Sequence, residues 1–376
     1  MHLSLVISSL AAGGAEHVMC TLANHWSGQG HEVTIFTTHD GGGSPHYRLD
    51  ASVRLESVDP RCANVARQVR VVAGLRREFR HGGADAIVSF LNYTNILTLA
   101  AARNLDVPVI ISERLDPRVI GIGPAWSALR RLTYPRATRL VAQTATAARL
   151  YEKFTPGRVV VIPNPVAPFP AAVGPRPAEM PRGPLVIAVG RLQPQKGYDV
   201  ALRALALLPP AFDEWKLLIL GEGPLRGEIE ALRNQLGLES RVLMPGRVPD
   251  PNPWLAGADI FLMSSRSEGF PNALCEAMAA GLPVVCTDCP SGPAEIIDPD
   301  INGLLVPSGA PRAMSEALAS LMGSRERRQE LAAAAPGIVE RFSEATVLDQ
   351  WDRLVLSVAN RSTGATSGRT VRSTGS

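Results

Sequence analysis

Residues 260–287 read IFLMSSRSEGFPNALCEAMAAGLPVVCT: an apolar run, a loop, a short helical pattern that stops at Gly281, and a second apolar run. Short continuous apolar runs bounded by turn residues predict buried strands, here at 260–265 and 282–287. Two buried strands joined by a helix run parallel, in a sheet that is covered on both faces. The stretch therefore predicts one βαβ unit of an α/β protein.

The same alternation of apolar runs and helical patterns continues in both directions. In the first half of the chain it predicts strands at 3–9, 32–38, 54–58, 86–90, 107–112, 139–144 and 159–164. In the second half it predicts further strands at 184–190, 215–221, 241–246 and 303–307. Two such series predict two doubly wound Rossmann-like domains that face each other across a cleft.

Proline marks the boundary between the two domains. Eight prolines fall within residues 163–184, and proline is excluded from helix interiors and sheet cores. We therefore predict a semi-rigid linker at 166–183 between domains at 1–165 and 184–343.

The chain ends in a helical pattern followed by a polar tail. Residues 344–360 show the apolar spacing of an amphipathic helix. The tail at 361–376 has no apolar anchor and is predicted to be disordered.

Composition places the chain among ordinary globular proteins. Apolar residues make up 45% and charged residues 19%, and no apolar run reaches the length of about 20 residues that a membrane-spanning helix needs. We interpret the apolar start at 3–9 as a strand rather than a signal peptide. Cys286 and Cys289 form a CxxC with no second pair, which favours buried thiols over a zinc site. The odd, scattered cysteines predict a cytoplasmic protein.

The loop after the predicted strand at 184–190 carries two cations. Ligands bind at the carboxyl ends of parallel strands, and here Arg191 and Lys196 precede a helix. Two cations beside a helix start suit a diphosphate. The chain has 35 arginines and three lysines, so a compact point charge is expected to matter at position 196.

Glycines mark three further loops at the same ends of the strands. Gly13 and Gly14 open the first helix, where free backbone N–H groups can receive an anion. Gly221 predicts a tight turn that lets a ligand lie close to the backbone. The loop at 246–248 brings Arg247 and Val248 to the same end of the sheet.

Two carboxylates, Glu268 and Glu276, flank the start of the helix in the opening stretch. We expect Pro271 at the first helical position, with the amides of residues 271–274 free for a ligand oxygen. An ionised carboxylate accepts two hydrogen bonds at once and so suits vicinal hydroxyls. The arrangement predicts a ligand with sugar hydroxyls at both ends and phosphates in the middle, which describes a sugar nucleotide.

Together these motifs resemble the retaining glycosyltransferases of family four, which have the GT-B fold. The resemblance is carried by GGAE at 13–16, GRLQPQKG at 190–197, GEGP at 221–224 and EGFPNALCEAMAAGLPVV at 268–285, and it extends to about residue 360. The segments DCPSGPAEII and NGLLVP add a likeness to bacterial enzymes that add Gal, GalNAc or Glc to lipid-linked saccharides.

The resemblance implies transfer of a hexose or N-acetylhexosamine from a nucleotide-sugar, expected to be a UDP-sugar, to a saccharide or lipid-linked saccharide in cell-surface glycan synthesis. Arg191 and Lys196 would hold the donor diphosphate and Glu268 would contact the donor sugar, while Glu276 would bind the ribose hydroxyls. The remaining implied donor contacts are Gly13, Gly14, Gly190, Gly221, Arg247, Val248, Phe270, Pro271, Asn272, Ala273 and Leu274.

The first domain departs from the family pattern. Many members carry a histidine in the loop that faces the sugar, whereas here the strand at 107–112 runs into ERLDP. The candidate acceptor or sugar contacts are Asn92, Glu113, Arg114 and Asp116. The retaining reaction of the family is viewed as a front-face displacement, in which the leaving phosphate takes the acceptor proton. It implies no protein nucleophile, no cofactor and no metal, because the two cations stabilise the leaving diphosphate.

A membrane contact and several other functions are also open. Residues 1–170 carry a net charge of +6, and the segment 65–80 interleaves apolar residues with five arginines, so it predicts a peripheral contact with the inner face of the plasma membrane. Other enzyme alternatives are a sugar-nucleotide epimerase or another GT-B enzyme. The non-enzyme alternative is a two-domain sugar-binding protein, and nucleic acid is not an expected partner.

Overall fold

The structure is a computed structural model that describes residues 1–11, 13–39, 44–58, 65–114, 118 and 121–364. Of the helical residues 65–66 and 360–364 it describes the backbone alone. The chain divides into two units. The first takes Met1–Pro163 and the chain from Ala345 onward, and the second takes Asn164–Glu344.

The first unit is built on a seven-stranded sheet whose paired strands are all parallel. In space the strands lie in the order β3-β2-β1-β4-β5-β6-β7. They are β1 (His2–Ile7), β2 (Glu32–Thr37), β3 (Arg54–Ser57), β4 (Ala86–Phe90), β5 (Val109–Ser112), β6 (Arg139–Ala142) and β7 (Val159–Val161).

Helices cover both faces of this sheet, which is why its central strands are buried and largely apolar. They are α1 (Gly14–Gly28), α2 (Val65–His81), α3 (Asn92–Ala101), α4 (Gly123–Thr133) and α5 (Ala145–Tyr151). The last helix of the chain, Glu344–Gly364, also packs here, and its fully buried Trp351 meets the ring of Phe90 at 5.8 Å.

The second unit repeats this architecture with six parallel strands in the order β10-β9-β8-β11-β12-β13. They are β8 (Leu185–Val189), β9 (Lys216–Leu220), β10 (Val242–Gly246), β11 (Ile260–Met263), β12 (Val284–Asp288) and β13 (Leu304–Pro307). The accompanying helices are α6 (Tyr198–Ala206), α7 (Arg226–Gln235), α8 (Asn252–Ala256), α9 (Asn272–Ala279), α10 (Pro311–Gly323), α11 (Arg325–Ala334) and α12 (Gly337–Arg341). The helix that follows them, α13 (Glu344–Gly364), is the one that packs on the first unit.

Every strand predicted from the sequence is present, and the two doubly wound Rossmann-like sheets confirm the predicted α/β class. The proline-rich segment 166–183 contains no helix or strand and packs on the second unit, where Val166 and Met180 are buried. The final helix continues to Gly364, four residues into the tail that was predicted to be disordered, and 365–376 lie outside the described residues. Within the described ranges, no helix combines the length and the apolar character that crossing a membrane requires.

Each sheet has a switch point, where the strand order reverses. In the first unit it lies between β1 and β4, and in the second between β8 and β11. Loops that leave the carboxyl ends of two such strands diverge to opposite faces and open a crevice, which is where ligands bind in sheets of this kind.

Candidate functional site

The loops after β8 and β11 lie side by side at the switch point of the second unit. The Ser264 hydroxyl donates to the Lys196 carbonyl at 2.9 Å, and the Lys196 ammonium donates to Glu268 Oε1 at 2.7 Å. The fold thus brings together two of the residues that the sequence singled out, although they are 72 positions apart.

Glu268 is 6% exposed, and a second donor holds the same oxygen, because the Ser265 hydroxyl reaches Oε1 at 2.5 Å. Among the described residues no donor reaches its other oxygen, Oε2. A carboxylate fixed through one oxygen keeps the other for a ligand hydroxyl. Ser265 was not predicted, since an isolated serine in a loop carries no recognisable signal.

Gly190 and Gly221, at the carboxyl ends of β8 and β9, allow neighbouring parts of the protein to pack closely. Gly221 has a φ of +148°, and a Cβ there would overlap the Gly190 carbonyl oxygen. The glycine at position 221 is therefore required by contact between two loops of the protein, a reason different from the predicted approach of a ligand. Gly190 is itself crowded, with the Tyr198 hydroxyl 3.0 Å from where a Cβ would stand. Arg191 follows it at the end of β8 with an exposed side chain.

The start of α9 differs in detail from the prediction. Pro271 precedes the first helical residue instead of occupying it, and it has no N–H to offer. Its carbonyl accepts the amide of Leu274 at 3.0 Å, and the Asn272 amide donates to the Phe270 carbonyl at 3.0 Å. Of the three N–H groups at 272–274, that of Ala273 is the one for which the described part of the chain provides no acceptor.

Two of the predicted donor contacts are core side chains. Leu274 is fully buried, and Phe270 packs edge-on against Phe342 with ring centroids 5.6 Å apart. These residues can offer a ligand only their backbone. Asn272 is half-buried, and its side-chain oxygen accepts a hydrogen bond from Asn164 at 2.8 Å.

Glu276 lies in α9 with a solvent-accessible carboxylate. Partial desolvation by the surrounding protein nevertheless raises the pKa of this carboxyl above its ordinary value. No donor among the described residues contacts it. Glu276 is thus partly surrounded by protein but accessible to solvent, and its carboxylate can accept hydrogen bonds from a ligand.

The loop after the edge strand β10 supplies the other predicted donor residues. Gly246 has a φ of +96° and lies against the Glu222 carboxylate, 2.8 Å from where a Cβ would stand. Beyond it Arg247 is exposed and Val248 half-buried. Both residues lie at the same end of the sheet as Lys196.

The first helix of the other unit starts with a carboxylate already in place. Gly13 is extended with a φ of −179°, and a Cβ there would overlap the Glu16 carboxylate. Glutamate at the third helical position often reaches back to the helix start in this way. An anion that approaches Gly14 would have to displace it. The predicted phosphate approach at Gly13 and Gly14 overlooked Glu16, although its position three residues after Gly13 was a readable signal.

Glu113 is built into the core of the first unit. It is 3% exposed and accepts hydrogen bonds from Asn95 and Tyr151, each at 3.0 Å, and from the Tyr134 hydroxyl. Burial raises the pKa of this carboxyl above its ordinary value. Both of its oxygens accept hydrogen bonds within the fold, so Glu113 is a core residue rather than the predicted acceptor contact.

The other acceptor candidates have different surroundings. The Arg114 guanidinium lies 3.9 Å from the ring centre of Phe90 and is buried. Burial lowers its pKa to about 9, which leaves it charged at neutral pH. The Asn92 side chain accepts the Tyr93 amide at 2.7 Å, next to Leu91, whose φ of +76° is rare for a residue with a side chain. Asp116 lies outside the described residues.

A cavity of about 420 Å³ lies between α6 and α7, and it is not lined by Lys196, Glu268 or Glu276. The charged groups of the candidate site meet instead at the switch point between β8 and β11. Among the described residues, no group of three or more His, Cys, Asp and Glu side chains is arranged to hold a metal ion. The cysteines within the described ranges, Cys20, Cys275, Cys286 and Cys289, are free and buried.

Two sequence families match the chain. The family described as "Glycosyl transferases group 1" matches residues 176–337, and the "Glycosyl transferase 4-like domain" matches residues 13–165. A relative from Campylobacter jejuni is 29% identical over 371 residues, which cover 96% of this chain and 99% of the relative. It is named GalNAc-alpha-(1->4)-GalNAc-alpha-(1->3)-diNAcBac-PP-undecaprenol alpha-1,4-N-acetyl-D-galactosaminyltransferase.

Solved structures share the fold. The apo form of the lipopolysaccharide outer core galactosyltransferase WaaB superimposes with a TM-score of 0.75 at 19% identity, over 95% of this chain and 99% of that one. Anabaena HepE in complex with UDP and glucose gives a TM-score of 0.77 at 19% identity, over 95% of this chain and 100% of that one. At this identity the likeness shows the two-domain α/β GT-B fold.

Proposed function

We propose that this chain, which belongs to the group 1 glycosyltransferases and is a transferase enzyme, moves a hexose or N-acetylhexosamine from a UDP-sugar to a lipid-linked saccharide, with retention of configuration. The observation that carries the proposal is the contact of Lys196 with Glu268 at the switch point of the second unit, 2.7 Å apart. A cation and a carboxylate are together at the place where a sheet of this kind binds its ligand.

The donor diphosphate is assigned to the cations of this edge. Lys196 and Arg191 supply positive charge, and the Ala273 amide supplies an unused donor at the start of α9. Negative charge grows on the diphosphate as the sugar leaves, so donors fixed in advance at that position lower the barrier. This is the main catalytic contribution that we assign to the protein.

The carboxylates are assigned to the two ends of the donor. Glu268 is anchored through Oε1, and its Oε2 accepts a hydroxyl of the donor sugar. Glu276 is accessible and accepts the two ribose hydroxyls, which an ionised carboxylate can hold together. Arg247 and Val248, in the loop after β10, border the base.

The retaining step follows from these assignments. The bond between the anomeric carbon and the phosphate oxygen breaks, and the acceptor oxygen forms its bond on the same face. The acceptor proton passes to the departing phosphate oxygen. Glu268 is held by Lys196 and Ser265 as a binding group, so it is not assigned the part of a nucleophile. An NMR assignment of the product anomer tests this, and an inverted product would contradict it.

The two cations also replace a metal in the proposal. Because Arg191 and Lys196 provide the charge that neutralises the diphosphate, we expect EDTA to leave the transfer rate unchanged. A loss of activity that Mg²⁺ restores would contradict this part of the proposal.

The acceptor is assigned to the first unit on chemical grounds. The Campylobacter jejuni relative is named for a saccharide linked to undecaprenol, and this supports a lipid-linked acceptor. Asn92 and Arg114 remain the candidate contacts at the carboxyl ends of β4 and β5, with Asp116 as an untested third. A substrate of this kind resides in the membrane.

Helix α2, where the sequence predicts a membrane contact, buries most of its apolar face and leaves Val69 66% exposed. Val71, Leu75 and Phe79 are buried in the unit, and Arg76 donates to the carbonyls of Ala101 and Arg103. Arg70, Arg77 and Arg80 point to solvent, so α2 retains an exposed basic surface. The segment 65–80 is therefore able to attract a membrane mainly by charge, with Val69 as an exposed apolar side chain beside Arg70.

Helix α4 offers both elements of a membrane contact. Leu132 is 65% exposed and Leu129 43%, Arg131 is exposed, and the helix has no acidic residue. Arg130 is half-buried, and its guanidinium lies 4.7 Å from the ring centre of Phe154. We assign the contact with an anionic leaflet to α4, since exposed apolar and basic side chains on one helix suit such a surface. Co-sedimentation with phosphatidylglycerol vesicles tests this assignment. Leu129→Gln/Leu132→Gln is expected to lose binding more than Arg70→Glu/Arg77→Glu, and the reverse order would contradict it.

The donor assignment is tested by a thermal-shift panel of UDP-, GDP- and ADP-sugars. A ligand at 100 times its dissociation constant stabilises a fold by about 2.7 kcal/mol, so the correct donor is readily identified. We expect a UDP-sugar to give the largest shift. No shift with any nucleotide-sugar would contradict the proposal, and a shift without turnover would support the sugar-binding alternative.

A further inference from the structure

Asp199 and Arg266 form a two-pronged ion pair beside the proposed donor site. Arg266 Nη1 reaches Asp199 Oδ1 at 2.8 Å, and Nη2 reaches Oδ2 at 2.8 Å. Asp199 lies in the first turn of α6, directly after the turn that carries Lys196. Arg266 lies in the loop after β11, two residues before Glu268. The pair therefore ties the two loops that carry the proposed catalytic groups.

The backbones of the two loops are also fastened to each other. The Arg266 amide donates to the Gln195 carbonyl at 2.7 Å, and the Gln195 side chain donates to the Ser267 carbonyl at 2.8 Å. Arg266 Nη1 reaches the Pro194 carbonyl at 3.0 Å as well. Contacts thus run continuously from Pro194 to Lys196 on one loop and from Ser264 to Glu268 on the other.

The approach of the loops is close enough to require a glycine. Gly197 has a φ of +64°, and a Cβ there would overlap the Ser264 carbonyl oxygen. A left-handed residue at 197 ends the short 3-10 turn at Pro194–Lys196 and starts α6 at Tyr198. The direction of the Lys196 side chain is therefore set by a turn that is fixed at both of its ends.

We propose that Asp199 and Arg266 are positioning residues for sugar transfer, which hold Lys196 and Glu268 at the distance and direction that the donor requires. They touch neither the donor nor the reacting atoms in this assignment. The inference rests on the proposed function, because Lys196 and Glu268 matter only if they bind the donor.

The electrostatics of the pair agree with a persistent contact. Arg266 lowers the pKa of Asp199 by hydrogen bonding, and Asp199 raises the pKa of Arg266 in the same way. A second arginine, Arg203, also reaches Asp199 at 2.8 Å. The side chain of Asp199 is 35% exposed and that of Arg266 is 43% exposed. Ion pairs that are exposed to this degree contribute little to the free energy of unfolding. A large effect on catalysis with a small effect on stability would therefore identify positioning.

The test compares Asp199→Asn with a control ion pair in the same unit. Asp300 meets Arg327 at 2.8 Å on the surface, so Asp300→Asn removes a similar charge elsewhere. The readout is UDP release by slow hydrolysis of the UDP-sugar that gives the largest thermal shift, which needs no acceptor. We expect Asp199→Asn to lower kcat roughly tenfold or more, because small misplacements of catalytic groups are costly. The KM and the Tm are expected to match those of the control.

Two further variants separate geometry from charge. Arg266→Lys keeps the charge but cannot donate to both Asp199 oxygens and to Pro194, so it is expected to lose kcat as Asp199→Asn does. Asp199→Glu keeps the carboxylate and is expected to retain most of the activity. If Asp199→Asn fails to fold, Arg266→Lys decides the question in its place.

The outcomes distinguish this inference from the proposed function. If Asp199→Asn and Arg266→Lys both keep the kcat of the control while Lys196→Ala loses it, the positioning role is overturned and the proposed function stands. If Lys196→Ala keeps the kcat of the native protein, the proposed function fails first. A Tm loss in Asp199→Asn that accounts for the whole loss of activity, with no recovery in Asp199→Glu, also overturns the positioning role.

Discussion

The two units share one strand order through six strands, yet they differ in the charged residues at their switch points. In the second unit Lys196 and Glu268 meet across two loops, and Glu276 remains accessible. In the first unit Glu113 and Arg114 are buried by the fold itself. A doubly wound sheet thus supplies a crevice, and the side chains at its rim decide whether that crevice suits a charged ligand.

The difference fits a division of labour between donor and acceptor. A diphosphate needs positive charge and a backbone N–H that the fold holds in place, and the second edge has Lys196 and the Ala273 amide. At the first edge, the carboxylate of Glu113 is buried and accepts hydrogen bonds from the fold, and Glu16 occupies the helix start. Such an edge is better suited to the hydroxyl groups of a saccharide than to a second anion.

The largest expected effect is that of Lys196→Ala. Removing a fixed donor from a developing charge lowers kcat by roughly 10²- to 10³-fold, so we expect a loss of that size in UDP release. Lys153→Ala is the matched control, since Lys153 is an exposed lysine of the first unit. If the two variants release UDP at equal rates, Lys196 does not stabilise the leaving diphosphate, and the two units do not differ in the way described.

The next effect concerns stability. Glu113→Ala removes the acceptor of three buried donors and is expected to lower the free energy of unfolding by about 2–3 kcal/mol, measured by urea denaturation. The affinity for the UDP-sugar should not change. A variant with native stability, or with weakened donor binding, would move Glu113 back among the site residues.

A smaller effect is expected for Glu276→Ala. Loss of a charged acceptor for the ribose hydroxyls should raise the dissociation constant of the UDP-sugar roughly 10- to 100-fold, measured by calorimetry. Glu239→Ala, at an exposed glutamate after α7, is the control. If Glu276→Ala binds the UDP-sugar as tightly as the native protein does, Glu276 does not bind the ribose.

The smallest effect is one of pH. Burial raises the pKa of Glu113 above its ordinary value of 4.5, so the folded protein holds that proton more tightly than the unfolded chain does. The group therefore stabilises the fold fully below pH 4.5 and loses this contribution as the pH rises through the folded pKa. As the pH rises through that range, the Tm of Glu113→Gln should therefore increase relative to the Tm of the native protein. A constant difference would show that the carboxyl does not titrate as assigned.

The sequence was sufficient to predict the strands, because buried parallel strands leave continuous apolar runs. It also drew attention to Lys196 through the rarity of lysine. The contact of Lys196 with Glu268 could not be read from it, since sequence order does not reveal which loops a switch point brings together. The burial of Glu113 was missed for a similar reason, because its partners Tyr134 and Tyr151 lie in later segments.

The central claim is that the donor diphosphate binds at the edge where Lys196 meets Glu268. A crystal structure of the protein with UDP tests it most directly. We predict the Lys196 ammonium within about 3 Å of a diphosphate oxygen and the Glu276 carboxylate on the ribose hydroxyls. A diphosphate bound elsewhere, with the Lys196–Glu268 contact unchanged and no ligand at Glu276, would contradict the account.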